Sequence, residues 1–304
     1  MTQPRSTLVS LDDTPWYHVV SRCVRREYLC GFDHHSGRNF EHRRGWIVER
    51  LHKLAALFAI DVAAYAVMSN HLHIVVRVDA ERALAWDRDE VLRRWTTLFT
   101  GPELVQRYRA HPEGLCAAEL ARVDLWVATY RERLMDLSWF MRVLNEPIAR
   151  QANAEDGVTG RFWEGRFKSQ ALLDEQAVLT AMAYVDLNPI RAKMAETPES
   201  SNYTSVAERI AGLGEEPDAT ASSPEGRVPL MPFDATARMA TAIPFAFEDY
   251  LELVDATGRF FTRCPDYGAS TARIASRGSA ANNRGFRSAL TGGSRIREAS
   301  AKRA

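Results

Sequence analysis

The sequence predicts a fold of mixed α and β class, and three observations carry that reading. Residues 17–24 (YHVVSRCV), 61–68 (DVAAYAVM) and 71–78 (HLHIVVRV) are alternating or β-branched runs of strand length. Apolar residues recur at helical spacing over 45–59 and again within 138–153 and 175–187. Only Ser69-Asn70 separates the second strand from the third, so these two form a hairpin.

In chain order, the first strand leads to a helix over 45–59, where Ile47, Leu51, Leu54, Ala55 and Phe58 share a face. The hairpin follows and sets His71 and His73 near the start of its second arm. Residues 80–136 are charged and rich in Trp, Arg and Leu; they read as helical, broken at Gly101-Pro102 and His111-Pro112. Ser138 is the expected cap of the next helix, which runs to Asn153 and precedes a turn at Glu155-Asp156-Gly157. A short strand over 169–173 comes next. Asp174 then caps a helix over 175–187, which Asn188-Pro189 ends or kinks before a short helix over 190–195. Residues 212–225 have the composition of a linker, and 244–258 (PFAFEDYLELVDATG) reads as ordered. Over 271–304 eight basic residues accompany one acid, Glu298, which predicts a disordered tail, either merely solvated or a basic arm along a phosphate backbone.

Composition narrows the function classes. Of 304 residues 46% are hydrophobic, enough for a core, and Lys+Arg and Asp+Glu both total 39. Zero net charge argues against a grip on nucleic acid through bulk electrostatics and leaves room for a local basic groove. The four cysteines form no CxxC pair, and no signal peptide is visible, so the expectation is a reducing, cytoplasmic setting. Cys23, Cys30, His34 and His35 lie close in sequence at a spacing that fits no usual zinc framework. No apolar run reaches the roughly 18–20 residues of a membrane span.

Three constellations could carry chemistry. In Met68-Ser69-Asn70-His71-Leu72-His73, the histidines sit two apart on a strand and project from one face. Two imidazoles held that way make half of a metal site, although histidines on strands are also often structural. In Ala183-Tyr184-Val185-Asp186-Leu187-Asn188-Pro189, Tyr184 and Asn188 are four apart and share a helix face. The amide oxygen suits a hard cation, magnesium or manganese, and the phenol is a candidate nucleophile; the plainer alternative is a packed aromatic and a cap. In Gly160 to Ser169 (GRFWEGRFKS), Arg161, Arg166 and Lys168 interleave with aromatics that could stack on bases or pin the loop to the core. Arg22, and Arg25 with Arg26 after the first strand, could extend that basic surface.

In this order the pieces resemble the single-tyrosine HUH transposases, and most closely the REP-associated tyrosine transposases. The residues that carry the likeness are Tyr17-His18-Val19-Val20-Ser21-Arg22, Met68 to His73, Gly160 to Ser169 and Ala183 to Ala192 (AYVDLNPIRA). The resemblance implies a ferredoxin-like α+β fold, an antiparallel sheet with helices on one face, a helical insertion and a C-terminal extension. It implies that His71, His73 and Asn188 hold a divalent metal, Mg2+ or Mn2+, and that Tyr184 is the nucleophile. Arg22, Arg25, Arg161, Arg166 and Lys168 are then the nucleic-acid contacts. The implied reaction cleaves and rejoins single-stranded or hairpin DNA through a 5′-phosphotyrosine. A phenol ionises only near pH about 10, so charge neutralisation at the phosphate would drive the attack. Relatives act as homodimers or as monomers, and no membrane is involved.

Domain expectations follow: a transposase-like domain over 15–205 with its insertion at 80–136, a linker over 206–228, a C-terminal extension over 229–262 and a disordered basic tail over 263–304. The insertion departs from compact relatives and could cover the site, recognise a hairpin or decorate the fold. A shifted reading frame would produce the change of composition in the tail. Two other functions fit the same residues. One is a DNA or RNA hairpin binder derived from a transposase, and the other a metal-dependent nuclease with a water nucleophile, which would survive Tyr184→Phe.

Overall fold

The computed structural model describes residues 9–24, 29–33, 37–213, 230–239 and 241–263. Alternation along strand β1 (Trp16–Arg22) sets up the layers. Tyr17, Val19 and Ser21 are buried on one face, while Trp16, His18 and Val20 are half-buried on the other. Helix α1 (Arg43–Leu57) follows, with Ile47, Val48, Leu51 and Leu54 buried against the Tyr17 and Val19 face. Strands β2 (Ile60–Val67) and β3 (His71–Val78) form the expected hairpin, closed by Met68 N–H donating to His71 O at 2.8 Å.

The insertion comprises α2 (Ala80–Ala85), α3 (Arg88–Thr96), α4 (Glu103–Ala110) and α5 (Ala117–Leu134), with one 3-10 turn at Pro112–Gly114. Its core is aromatic: the Trp95 ring stacks on Tyr130 at 4.5 Å and on Phe99 at 4.6 Å. Val91, Leu92, Val105, Val123 and Val127 join the same apolar cluster as Tyr17, Ile47 and Phe140. The insertion leaves β3 at the end away from His71 and belongs to the face opposite the histidines, so it does not cover them. Many of its arginines are paired internally, Arg88 with Asp124, Arg93 and Arg94 with Glu90, and Arg107 with Glu119.

Helix α6 (Leu137–Glu155) returns to the same face, and Phe140 meets Phe58 edge to face at 5.4 Å. Its cap is Asp136, whose carboxylate accepts from Trp139 N–H at 2.8 Å, and not Ser138 as the sequence suggested; Ser138 lies in the first turn. Strand β4 (Lys168–Ala171) then completes the sheet. The order is β2-β3-β1-β4 with every pair antiparallel, so β1-α1-β2-β3-α6-β4 has the ferredoxin-like arrangement and the α+β class expected.

Helices α1 to α6 lie on one face, as expected. The second face is apolar too, with Ala64, Ala66 and Val75, and must also be covered. Helix α7 (Glu175–Asp186) does this, capped by Asp174 as expected. It continues through α8 (Asn188–Arg191) and is backed by α10 (Phe247–Arg263). Between these, α9 (Ser205–Gly212) occupies the first part of the expected 206–228 linker, with Val206 buried; residues 214–229 lie outside the described residues, as do Arg25, Arg26, His34, His35 and 264–304.

The edge strand β2 is not left open. Val67 N–H donates to Tyr203 O, Tyr65 N–H to Ser205 Oγ, and Met231 N–H to Val62 O. The pairing register shifts at Ala63, and Arg209 donates to the Ala63 carbonyl at 2.7 Å. No helix among the described residues is long and apolar enough to cross a membrane.

Candidate active site

The covered second face carries the polar cluster. Strand pairing sets Arg22 opposite His71, Val20 opposite His73 and His18 opposite Val75, so all three histidines project from one face. The His71 and His73 rings lie 4.7 Å apart, and the His18 ring meets His73 edge to edge and nearly coplanar, with centroids 5.2 Å apart and an interplanar angle of 16°. Tyr184 comes down from α7 onto this group, edge-on to His73 at 5.7 Å and to His18 at 6.0 Å. Small residues on both layers, Ala64 and Ala66 below and Ala181 and Ala183 above, pack together between sheet and helix. The structure therefore sets Tyr184 against His73 and His18, with His71 beside His73.

Asn188 is buried and lies one turn beyond Tyr184. Pro189 has no N–H, which marks the break between α7 and α8, but Leu187 keeps helical backbone angles across it. The Asn188 Nδ2 is buried with no hydrogen-bond partner among the described residues. An orphan at that position fits an amide whose other partner is a ligand, and turning the amide would place its oxygen there.

The hydrogen bonds set one tautomer and leave a second shared. His71 Nδ1 lies 2.6 Å from Asn70 Oδ1, an acceptor, so Nδ1 carries the proton and Nε2 keeps a lone pair. His73 Nδ1 lies 3.0 Å from His18 Nε2, and one proton is shared between them. Burial pushes His18 down to about 4. Burial and the Arg22 charge push His71 down to about 4. His73 is held well below the ordinary 6.5, first by burial and then by the charges of its neighbours, Arg191 and Arg22 among them. All three rings are thus neutral at pH about 7, the state that can ligate a metal. Among the described residues no three His, Cys, Asp or Glu side chains are arranged to hold a metal ion. A cation here would draw on the two imidazoles and the Asn188 amide, with water or substrate oxygen completing its shell.

Arg22 and Lys168 are exposed on the histidine face, since Lys168 pairs with Val20. Arg161 and Arg166 are exposed on the segment beside the end of β1, where Val24 N–H donates to Phe162 O and Glu164 N–H to Arg22 O. The aromatics of that segment serve packing. Phe162 is buried, and Trp163 Nε1 donates to Asn145 O, so base stacking on Phe162 is overturned. Arg25 lies outside the described residues.

Two neighbours escaped the sequence reading. The Arg191 guanidinium stands 4.7 Å over the Tyr184 ring, which its place one further turn along α8 would have indicated. His18 lies within Tyr17 to Arg22, where alternation on β1 already places it on the Arg22 face.

No family model matches the chain, and no curated protein matches it. Among solved structures the chain is similar to a REP-associated tyrosine transposase bound to a REP hairpin. The identity is 12% and the TM-score 0.41, over 73% of this chain and 93% of that one. A likeness this distant assigns no activity to the residues above.

Proposed function

We propose that this chain cleaves and rejoins single-stranded DNA, with hairpin DNA as its substrate, through a covalent link to Tyr184. The observation that supports this reading most is the meeting of the half-buried Tyr184 phenol with the His73 and His18 rings on the sheet, with His71 beside His73 and Arg191 over the phenol ring. His71 and His73 through Nε2, with Asn188, would hold a divalent cation, Mg2+ or Mn2+, which would offset the charge that develops on the scissile phosphate.

The remaining steps belong to the side chains. Arg22 and Lys168 hold the backbone phosphates on the histidine face, and Arg161 and Arg166 extend that grip along the neighbouring segment. The Tyr184 oxygen attacks phosphorus in line. The Oη–P bond forms, the P–O3′ bond breaks, the phenolic proton leaves to a solvent base, and the departing 3′ oxygen takes up a proton from solvent. Arg191, over the ring, favours the developing negative charge on the phenol. A second 3′-hydroxyl reverses the step on another strand, and the phosphodiester energy is conserved without ATP.

The test is incubation of the full chain with labelled single-stranded hairpin oligonucleotides and Mn2+ or Mg2+, followed by a denaturing gel. A shifted protein–DNA band that disappears in Tyr184→Phe is expected. Strand cleavage that persists in Tyr184→Phe would instead indicate a water nucleophile.

A further inference from the structure

We infer that His18 is a positioning residue: its hydrogen bond to Nδ1 of His73 sets the tautomer and ring plane in which His73 presents the Nε2 lone pair to a divalent cation. The proposal rests on the strand-transfer reading only for what the cation is used for.

The two candidate ligand rings are backed in the same way. His71 Nδ1 faces Asn70 Oδ1 at 2.6 Å, and His73 Nδ1 faces His18 Nε2 at 3.0 Å. An amide oxygen can only accept, so the His71 tautomer is fixed by its partner. A neutral imidazole can give or take, so the His18–His73 pair has two arrangements. With the shared proton on His18 Nε2, the His73 Nε2 carries the other proton and cannot ligate. With the proton on His73 Nδ1, both His71 and His73 offer Nε2 lone pairs, and His18 carries its own proton on Nδ1. A cation selects the second arrangement, and His18 is the acceptor that makes it available.

Geometry adds a second element. The His18 ring is parallel to His73 within 16° and also edge-on to Tyr184, so it lies against ligand and nucleophile together. No other hydrogen-bond partner for His73 Nδ1 exists among the described residues. His73 itself is buried, so water cannot readily replace His18.

The experiment measures Mn2+ affinity of the full chain without DNA, by calorimetry and by the loss of the free-ion EPR signal. It compares the natural sequence, His18→Ala, His18→Gln and His73→Ala. Gln places an amide oxygen near the position of Nε2 and should accept the same hydrogen bond. Expected are a loss of about 10–100-fold in His18→Ala, recovery of most of it in His18→Gln, and a loss at least as large in His73→Ala. Side-chain 15N NMR with Mg2+ should show His73 protonated on Nδ1 in the natural sequence and in His18→Gln; this stands even if His18→Ala fails to fold. Unchanged Mn2+ affinity in His18→Ala overturns the proposal, as does a His73 ring protonated on Nε2 in the cation-bound protein. Weakened binding in His18→Ala, with no DNA adduct from the natural sequence on any hairpin, supports the positioning role and removes the strand-transfer reading. Absence of Mn2+ binding by the natural sequence removes both.

Discussion

Tyr250→Phe should destabilise the protein by about 2–3 kcal/mol through a single lost hydrogen bond. Asp186, two residues after Tyr184, is fully buried at the end of α7. Its Oδ1 accepts from Ser205 Oγ and from Val206 N–H, and its Oδ2 accepts from Tyr250 Oη at 2.6 Å. Three donors around one carboxylate, with Arg209 nearby, are the surroundings of an ionised acceptor, even though burial raises Asp186 above the ordinary carboxylate value. Phe keeps the ring and its packing, so no cavity term enters. What is lost is the only donor to Oδ2 among the described residues. A hydrogen bond to a charged group contributes about 1.5–3 kcal/mol, and stranding a buried acceptor puts the loss in the upper part of that range. The melting temperature should fall by roughly 4–12 °C for an ordered region of this size. Urea unfolding followed by circular dichroism should show a lower midpoint at unchanged slope. A loss below about 0.5 kcal/mol, the scatter of ordinary surface substitutions, would refute the reasoning, because the network would then not anchor the helix that bears Tyr184.

Further outcomes follow from other contacts. Asp136→Ala should cost about 1 kcal/mol as loss of the α6 cap, whereas Ser138→Ala should stay within about 0.5 kcal/mol; urea midpoints distinguish them. The Tyr250 hydroxyl is pushed well above 10 by burial and then by the Asp186 charge. A folded value above the unfolded one means stability is intact below pH about 10 and is lost as pH rises beyond it. Alkaline titration with tyrosinate absorbance and circular dichroism read together should show this, and the slope above pH about 10 should be shallower in Tyr250→Phe. Replacing Arg22 and Lys168 by Gln should weaken binding of single-stranded hairpins and lower the slope of log K against log salt by about 1–2, measured by fluorescence anisotropy.

Local signals read well from the chain. The β1 and β3 alternation, the hairpin at Ser69-Asn70, the Asp174 cap and the helical register of Tyr184 with Asn188 all depend on neighbours a few residues apart. Of the contacts across long separations, that of Tyr184 with His73 followed from the resemblance alone, and others did not read. His18 meets His73 from 55 residues away, and Tyr250 meets Asp186 from 64. Capping chemistry misled where two suitable residues stood two apart, since Asp136 and Ser138 satisfy the same rule and packing of Leu137 and Phe140 decides between them. Composition left two readings open at Phe162 and Trp163; Phe162 is buried and Trp163 Nε1 donates to Asn145 O, while Arg161 and Arg166 to either side stay exposed. Covering of both sheet faces was written in Ala64, Ala66 and Val75, but small apolar residues do not announce which helix will sit on them.

The decisive measurement is the identity of the amino acid that carries DNA. The full chain is trapped with hairpin DNA and Mn2+, digested with nuclease and protease, and sequenced by mass spectrometry. A nucleotide remnant on the Tyr184 phenol is the predicted result. A remnant on any other residue, or cleaved DNA from a protein that carries none, would contradict the proposal that the ring facing His18 and His73 is the attacking group.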